Sequence, residues 1–131
     1  MKTNRRTFTL GLAGLGTGLG IGAPALAQGK TVEVAMKQSP KMLFVPGTVN
    51  IKSGDTVHWS NPYSTTHTVT FDPAKAATPA NAAVPEGVPP FDSGNIEEDG
   101  SFSHTFTVKG TYKYVCVLHE AMGMVGTVIV S

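Results

Sequence analysis

The sequence predicts an all-β fold, a Greek-key β-sandwich of about seven or eight strands. Two observations carry this prediction: apolar and polar residues alternate with a period of two, and Gly, Pro and Asn turns separate the alternating stretches. The chain beyond its N-terminal segment shows no convincing helical periodicity. Short alternating strands of this kind bury their apolar faces by packing one sheet against another.

The first 27 residues are typical of a secretory signal peptide. Basic residues begin it, an apolar glycine-rich run follows, and Ala25-Leu26-Ala27 forms a small-x-small cleavage site before Gln28. The paired Arg5 and Arg6 resemble a twin-arginine export signal, with an ordinary signal peptide as the alternative. The apolar run is shorter than the roughly 20 residues that span a membrane. We therefore expect export, for example to the periplasm, of a mature chain without a stable membrane span.

The mature chain, residues 28–131, has the length of one domain and a composition that excludes several functions. It holds seven lysines and no arginine against nine acidic residues, a formal net charge of −2. This balance does not favour nucleic-acid binding, which needs a clustered basic face. Cys116 is the only cysteine. In an exported protein it implies an intermolecular bond, a reactive thiol, or a thiol protected by a ligand.

The alternating stretches follow one another along the mature chain, and each is marked by apolar residues of one parity. Val32, Val34 and Met36 mark the first, and Asn61-Pro62 ends the third after Trp59. We predict strands at residues 32–36, 49–51, 57–59, 67–71, 101–108, 111–116 and 126–130.

Residues 72–100 break this pattern. The segment carries five prolines among many alanines and ends in Glu97-Glu98-Asp99, which is typical of a solvated turn. We predict a long excursion across the domain before the last three strands, with one helical turn near Ala74–Ala77, and no domain boundary.

The residues that carry chemistry cluster near the C-terminus. Cys116, His119 and Met124 lie within nine residues, and His67 lies far upstream before an apolar alternation. Two imidazoles, one thiolate and a weak axial thioether are the ligand set of an electron-transfer copper site. The parity of Cys116 with the buried residues of its strand predicts that the thiol points into the sandwich.

Several motifs together resemble a plastocyanin-type blue copper protein of the cupredoxin family, closer to halocyanin-like prokaryotic members than to photosynthetic plastocyanin. The resemblance covers nearly all of the mature domain, through residues 44–46, 53–57, 67–69, 110–114, 124–128 and the Cys116-x2-His119-x4-Met124 spacing. It implies a cupredoxin-like fold and one type 1 copper ion that alternates between Cu(I) and Cu(II). His67, Cys116 and His119 would be the equatorial ligands and Met124 the axial ligand, with both imidazoles binding through the nitrogen nearer the backbone.

The resemblance also implies a function and partners. The protein would not be an enzyme but would carry one electron between larger redox proteins, a cytochrome or an oxidoreductase, by transient docking as a monomer. Two positions depart from the photosynthetic pattern. Thr68 stands where plastocyanins usually have Asn, whose side chain braces the ligand loops, and Val115 stands where they usually have a surface tyrosine that marks a second docking site.

Alternatives remain open at this stage. Met122 is a rival to Met124 as the axial ligand, although the register of the last strand favours Met124. The protein could be a periplasmic copper carrier or store, or Cys116 and His119 could form a nucleophile and its base. An apolar docking patch is expected around His119, from Leu118, Ala121, Met122, Pro46 and Pro89-Pro90.

Three further side chains are given structural interpretations. His58 alternates out of phase with the apolar residues and should face solvent. His104 shares its parity with Phe102 and Phe106, so it should be a partly buried, hydrogen-bonded histidine at the edge of the core. Tyr112 follows a glycine turn and is a candidate for a tyrosine corner.

Overall fold

Seven short strands form two mixed sheets in the computed structural model, which describes residues 29–131. The segment assigned to the signal peptide and its cleavage site lies outside the described residues. The strands are β1 Thr31–Lys37, β2 Leu43–Val45, β3 Thr48–Ile51, β4 Asp55–Ser60, β5 Ser101–Phe106, β6 Gly110–Val115 and β7 Val125–Val130.

The two sheets combine parallel and antiparallel pairs. The first has the order β2-β1-β4-β5, in which β1 and β4 are parallel and the other pairs are antiparallel. The second has the order β3-β7-β6, in which β3 and β7 are parallel and β6 and β7 are antiparallel. The predicted β-sandwich is therefore confirmed.

The core lies between the sheets and is built from alternate residues of facing strands. Val34 and Trp59 of the first sheet and Tyr114 and Val128 of the second are fully buried. The rings of Trp59 and Tyr114 meet edge to face with centroids 5.4 Å apart, a favourable arrangement for aromatic pairs. Tyr114 also explains Gly126 on the neighbouring strand, because a Cβ there would overlap the tyrosine ring and hydroxyl.

The segment 67–71 does not form the regular strand that its alternation predicts. It is extended but is held only by isolated bridges, His67 to Ile96 and Thr70 to both Asp92 and Val115. Thr68 and Thr70 are buried although they alternate with the apolar residues, and their hydroxyls are hydrogen-bonded to each other, to the Asp92 carboxylate and to the Val117 amide. Both faces of this segment are therefore interior.

Other element boundaries differ from the sequence prediction in smaller ways. Strand β2 was missed because it has only three residues and a single buried side chain, Phe44. Strand β5 ends at Phe106, two residues before the predicted end. In the excursion, residues 73–75 form a turn and a 3-10 helix follows at Pro79–Asn81.

The three further side chains lie where the sequence predicts, but the structure of residues 29–131 gives His104 ring stacking in place of the expected hydrogen bond. The Tyr112 hydroxyl donates to the Val108 carbonyl at 2.6 Å, which forms the expected tyrosine corner. His58 is partly exposed beside Glu33, and His104 is partly buried with its ring stacked on Phe91 at 4.0 Å. No helix within residues 29–131 is long and apolar enough to cross a membrane.

Candidate metal centre

Three of the four candidate ligands meet at one end of the sandwich. The ligand atoms of His67, Cys116 and His119 all lie within 4.8 Å of one another. The Cys116 Sγ atom is 3.3 Å from Nδ1 of His119 and 3.7 Å from Nδ1 of His67. Each imidazole thus presents to the sulfur the nitrogen nearer its own backbone.

The loop from Cys116 to Met124, hereafter the ligand loop, folds back on itself through its own backbone. The Cys116 amide donates to the Met124 carbonyl, and the His119 amide donates to the Cys116 carbonyl, each at 3.0 Å. A 3-10 turn at Glu120–Met122 follows, and Gly123 closes it with a φ of 87°, which favours glycine. The loop therefore brings its two ends together at the cysteine.

His67 is placed by the excursion and not by a strand ladder. Its amide donates to the Ile96 carbonyl at 3.1 Å, and the Ile96 amide donates back at 2.7 Å. Burial, together with the nearby His119, holds the pKa of His67 below its ordinary value. The ring is therefore neutral near pH 7, the form that binds a metal.

Burial distinguishes the two methionines of the ligand loop. Met124 is fully buried at the same end of the sandwich as Cys116, whereas Met122 is 62% exposed. A buried thioether is available to an enclosed ion, and an exposed one is available to solvent or a partner. This difference favours Met124 as the axial ligand, in agreement with the strand register.

Thr68 makes the brace that is expected of Asn at this position. Its hydroxyl accepts a hydrogen bond from the Val117 amide at 2.9 Å. Its own amide points at the Cys116 sulfur, with a nitrogen–sulfur distance of 3.4 Å. A single threonine thus ties the segment after His67 to both the cysteine and the residue that follows it.

Glu120 is a structural residue of the ligand loop that sequence reasoning missed. Its carboxylate is buried and accepts hydrogen bonds from the amides of Ala77 and Thr78 and from the Asn81 side chain, at 2.7 to 3.0 Å. Burial raises the pKa of Glu120, but these hydrogen bonds outweigh it and leave the pKa below its ordinary value. The sequence signal that could have indicated its role is that Glu120 is the only carboxylate in an otherwise largely apolar loop.

The docking patch expected around His119 is only partly present. Leu118 is 51% exposed and Ala121 and Met122 are also exposed beside the partly exposed His119. Pro89 and Pro90 do not belong to it, because they line a groove with Val108 and the tyrosine corner. Strand β6 runs from Tyr112, which lines that groove, toward Cys116, and the separation of four residues between these positions spans about 13 Å.

The geometry of these donors suits a copper ion. Two ligands at about 2.0 and 2.3 Å from a first-row metal, separated by 120°, lie about 3.7 Å apart. The two sulfur–nitrogen distances, 3.3 and 3.7 Å, are close to this value. One thiolate with two imidazoles is also the donor set of electron-transfer copper sites.

Comparison with known proteins agrees with this geometry. The model of the family described as copper binding proteins, plastocyanin/azurin family, matches residues 30–131. The chain belongs to this family. A plastocyanin from Scenedesmus fuscus is 37% identical over 93 residues, which cover 71% of this chain and 91% of that protein. A plastocyanin from Vicia faba is 35% identical over 107 residues, which cover 76% of this chain and 100% of that protein.

A solved structure extends the comparison to three dimensions. A variant of amicyanin in its reduced Cu(I) form at pH 4 is 28% identical, with a TM-score of 0.58 over 77% of this chain and 82% of that one. The prediction of a blue copper cupredoxin is confirmed. Copper is its cofactor, and cupredoxins of this kind are electron carriers that serve redox partners, not enzymes. The Cys116–His119 pair is therefore not a nucleophile and its base.

Proposed function

We propose that the protein is an exported single-electron carrier whose type 1 copper ion is held by His67, Cys116 and His119, with Met124 as the axial ligand. The observation that carries this assignment is the convergence of one sulfur and two Nδ1 atoms within 4.8 Å at a buried end of the sandwich. Soft sulfur ligands favour Cu(I) and imidazoles also suit Cu(II), so this set serves both states.

The chain's own contribution is to keep the donors in place. Copper supplies the one-electron change between Cu(I) and Cu(II). His67 is fixed by its paired backbone bonds to Ile96, and Cys116 is fixed by the Met124 carbonyl and the Thr68 amide. Donors held by several independent bonds move little when the charge changes, which keeps electron transfer fast. A cage this enclosed does not favour the carrier or storage alternative, which needs a readily exchanging site.

The electron would leave through the exposed edge of His119. Leu118, Ala121 and Met122 lie within three residues of His119, and their side chains are exposed, apolar and uncharged. We propose that this surface docks transiently on larger redox proteins, a cytochrome or an oxidoreductase, through an interface below about 1,200 Å². The carrier itself would act as a monomer.

Export is proposed from residues 1–27, whose pattern is that of a signal peptide. Expression of the full chain in a Gram-negative host tests this. Intact mass and N-terminal sequencing of periplasmic protein should give a mature form that begins at Gln28. Recovery of the full-length chain from the cytoplasm alone would contradict the proposal.

The copper assignment is tested on residues 28–131 by adding one equivalent of Cu(II) and recording the visible spectrum. We expect an intense blue thiolate-to-copper band that ascorbate bleaches and reoxidation restores. Cys116→Ser should abolish the band, because it removes the thiolate. A pale Cu(II) spectrum in the unsubstituted protein would overturn the assignment.

The axial ligand is tested by a matched pair of variants. Met124→Leu should keep a blue band but change the reduction potential, because the axial ligand tunes it. Met122→Leu, on the same loop, should leave the potential unchanged. The opposite result would identify Met122 as the ligand.

A further inference from the structure

A line of hydrogen-bonded side chains leads from the surface of the excursion to the ligand loop. Lys75 Nζ donates to Asp92 Oδ2 at 3.1 Å, and the Thr70 hydroxyl donates to Asp92 Oδ1 at 2.6 Å. The hydroxyls of Thr70 and Thr68 are 3.0 Å apart, and the Val117 amide donates to the Thr68 hydroxyl at 2.9 Å. We call these side chains the threonine relay: Asp92, Thr70 and Thr68.

The direction of every hydrogen bond in the relay is fixed. An ionised carboxylate only accepts, so the single hydroxyl proton of Thr70 is committed to Asp92. Thr70 must then accept the proton of Thr68, which leaves the oxygen of Thr68 free to accept from Val117. All donors therefore point from the ligand loop toward the carboxylate, and bonds aligned in this way polarise and strengthen one another.

The charge that orients the relay is stable near neutral pH. Burial raises the pKa of Asp92, but hydrogen bonds from Thr70, Lys75 and Gly94 outweigh it and leave the pKa below its ordinary value. Thr70 is fully buried and Thr68 is 3% exposed. The two threonines of the relay thus lie in the interior, where a hydrogen bond is electrostatically stronger than in water, and Asp92 is partly exposed at its outer end.

Thr68, at the inner end of the relay, contacts both Cys116 and the residue that follows it. The Thr68 hydroxyl holds the Val117 amide, and the Thr68 amide points at the Cys116 sulfur from 3.4 Å. We propose that Thr70 and Asp92 are positioning residues that orient Thr68 and so keep its amide directed at the cysteine sulfur. This inference rests on the proposed role of Cys116 as the copper ligand.

The expected consequence concerns the reduction potential. Hydrogen bonds to a ligand sulfur withdraw electron density that the oxidised ion needs more than the reduced ion. The relay should therefore favour Cu(I). Breaking it should lower the reduction potential and shift the thiolate-to-copper band, without removing any ligand.

The central experiment replaces Thr70 with Val, which keeps the shape and removes the hydroxyl. The backbone of Thr70 remains paired with Val115 in both directions, so the segment stays extended. Thr70→Ser restores a hydroxyl and should restore the properties of the unsubstituted protein. Thr56→Val is the matched control, because it removes a hydroxyl–hydroxyl bond of 2.7 Å to Thr105, on an exposed sheet face.

Two readouts are needed. In the copper-loaded protein, Thr70→Val should lower the reduction potential, and Thr70→Ser and Thr56→Val should not. In the copper-free protein, amide hydrogen exchange at Val117 should become at least about tenfold faster in Thr70→Val alone, equivalent to about 1.4 kcal/mol. Asp92→Ala removes the acceptor at the outer end of the relay and should shift both readouts in the same direction as Thr70→Val. It serves as the test variant if Thr70→Val does not fold.

An unchanged potential and unchanged Val117 exchange in Thr70→Val would overturn the inference. Equal effects of Thr70→Val and Thr56→Val would also overturn it, because they would indicate general destabilisation. Failure of the copper assignment is distinguishable: the unsubstituted protein would lack the blue band, while exchange at Val117 would still report on the relay.

Discussion

The ligand loop, residues 116–124, and the excursion, residues 72–100, contribute to the copper centre in opposite ways. The ligand loop holds three of the four proposed ligands in nine residues. The excursion holds none in 29 residues, but it contacts the centre at three points: Ile96 pairs with His67, Asp92 ends the threonine relay, and residues 77–81 bind Glu120. The donors are therefore concentrated in one segment, and much of their positioning comes from another.

The difference shows why the two segments are so unequal in composition. Ligands must be specific residue types, so the ligand loop is rich in thiol, imidazole and thioether groups. The groups that hold a ligand in place can be backbone carbonyls and amides, which nearly all residue types provide, as in the pairing of His67 with Ile96. The excursion can consequently be built from proline, alanine and glycine and still hold the centre.

The largest expected effect comes from loosening the excursion at Phe91. Its ring is stacked on Phe71 at 4.3 Å and on His104 at 4.0 Å, so it joins the excursion to the core. Phe91 is partly buried, so Phe91→Ala should lower the free energy of unfolding of the copper-free protein by about 3 kcal/mol, the low end of the range for Phe→Ala, chiefly from lost contacts. Met122→Ala on the ligand loop should change it by less than about 0.5 kcal/mol, since that side chain is exposed.

Urea unfolding followed by tryptophan fluorescence measures both variants, because Trp59 is buried in the core. If Met122→Ala destabilised the protein as much as Phe91→Ala, the assignment of packing to the excursion and of exposed surface to the ligand loop would be wrong.

A smaller effect is expected where the two segments are joined directly, at Glu120. Glu120→Gln keeps the size of the side chain but places an NH2 group among three donors, so at least one hydrogen bond to charge is lost. We expect a loss of about 2 kcal/mol in the free energy of unfolding. Hydrogen exchange should also become faster at the amides of Ala77 and Thr78. Glu98→Gln, on an exposed turn of the excursion, is the control and should change neither quantity.

The hydrogen bonds of Glu120 to residues 77–81 are here called the Glu120 clamp. Equal stability of Glu120→Gln and Glu98→Gln would contradict the idea that this clamp stabilises the packing of the ligand loop on the excursion. The spectrum of the copper-loaded Glu120→Gln variant sharpens the comparison. A preserved blue band with lower stability would mean that the clamp holds the segments together without setting the geometry of the donors.

The ligand loop could be predicted from sequence because its information is local. Cys116, His119 and Met124 are informative by type and spacing, and the parity of β6 places the cysteine inward. Similarly, alternation in β4 was sufficient to place Trp59 in the core. These predictions need only the chain within a few residues of each site.

The contacts through which the excursion positions the donors could not be predicted, because each of them joins residues far apart in sequence. Glu120 meets partners 39 to 43 residues away, and Thr70 meets Asp92 22 residues away. Alternation places Thr70 on the face opposite Val69 and Phe71, and only the structure shows that this threonine is buried and bound to Asp92. Gly126 likewise follows from the register of β6 against β7, which sets the ring of Tyr114 against it.

The smallest expected effect is a pH dependence where the excursion packs on β5. Burial lowers the pKa of His104 from its ordinary value, so the folded protein holds the ring neutral below the pH at which the unfolded chain binds a proton. The resulting stability is present above about pH 6.5, the ordinary pKa of histidine, and is lost progressively as the pH falls below it.

His104→Phe keeps an aromatic ring against Phe91 and removes the titrating imidazole. The free energy of unfolding of the copper-free protein should therefore fall more steeply between pH 7.5 and 5.5 than that of the variant. His67 is common to both proteins and cancels in this comparison, and between pH 7.5 and 8.5 the two curves should run parallel. Parallel curves across the whole range would show that the stack on Phe91 accommodates a charged imidazole, and that the excursion packs loosely on this part of β5.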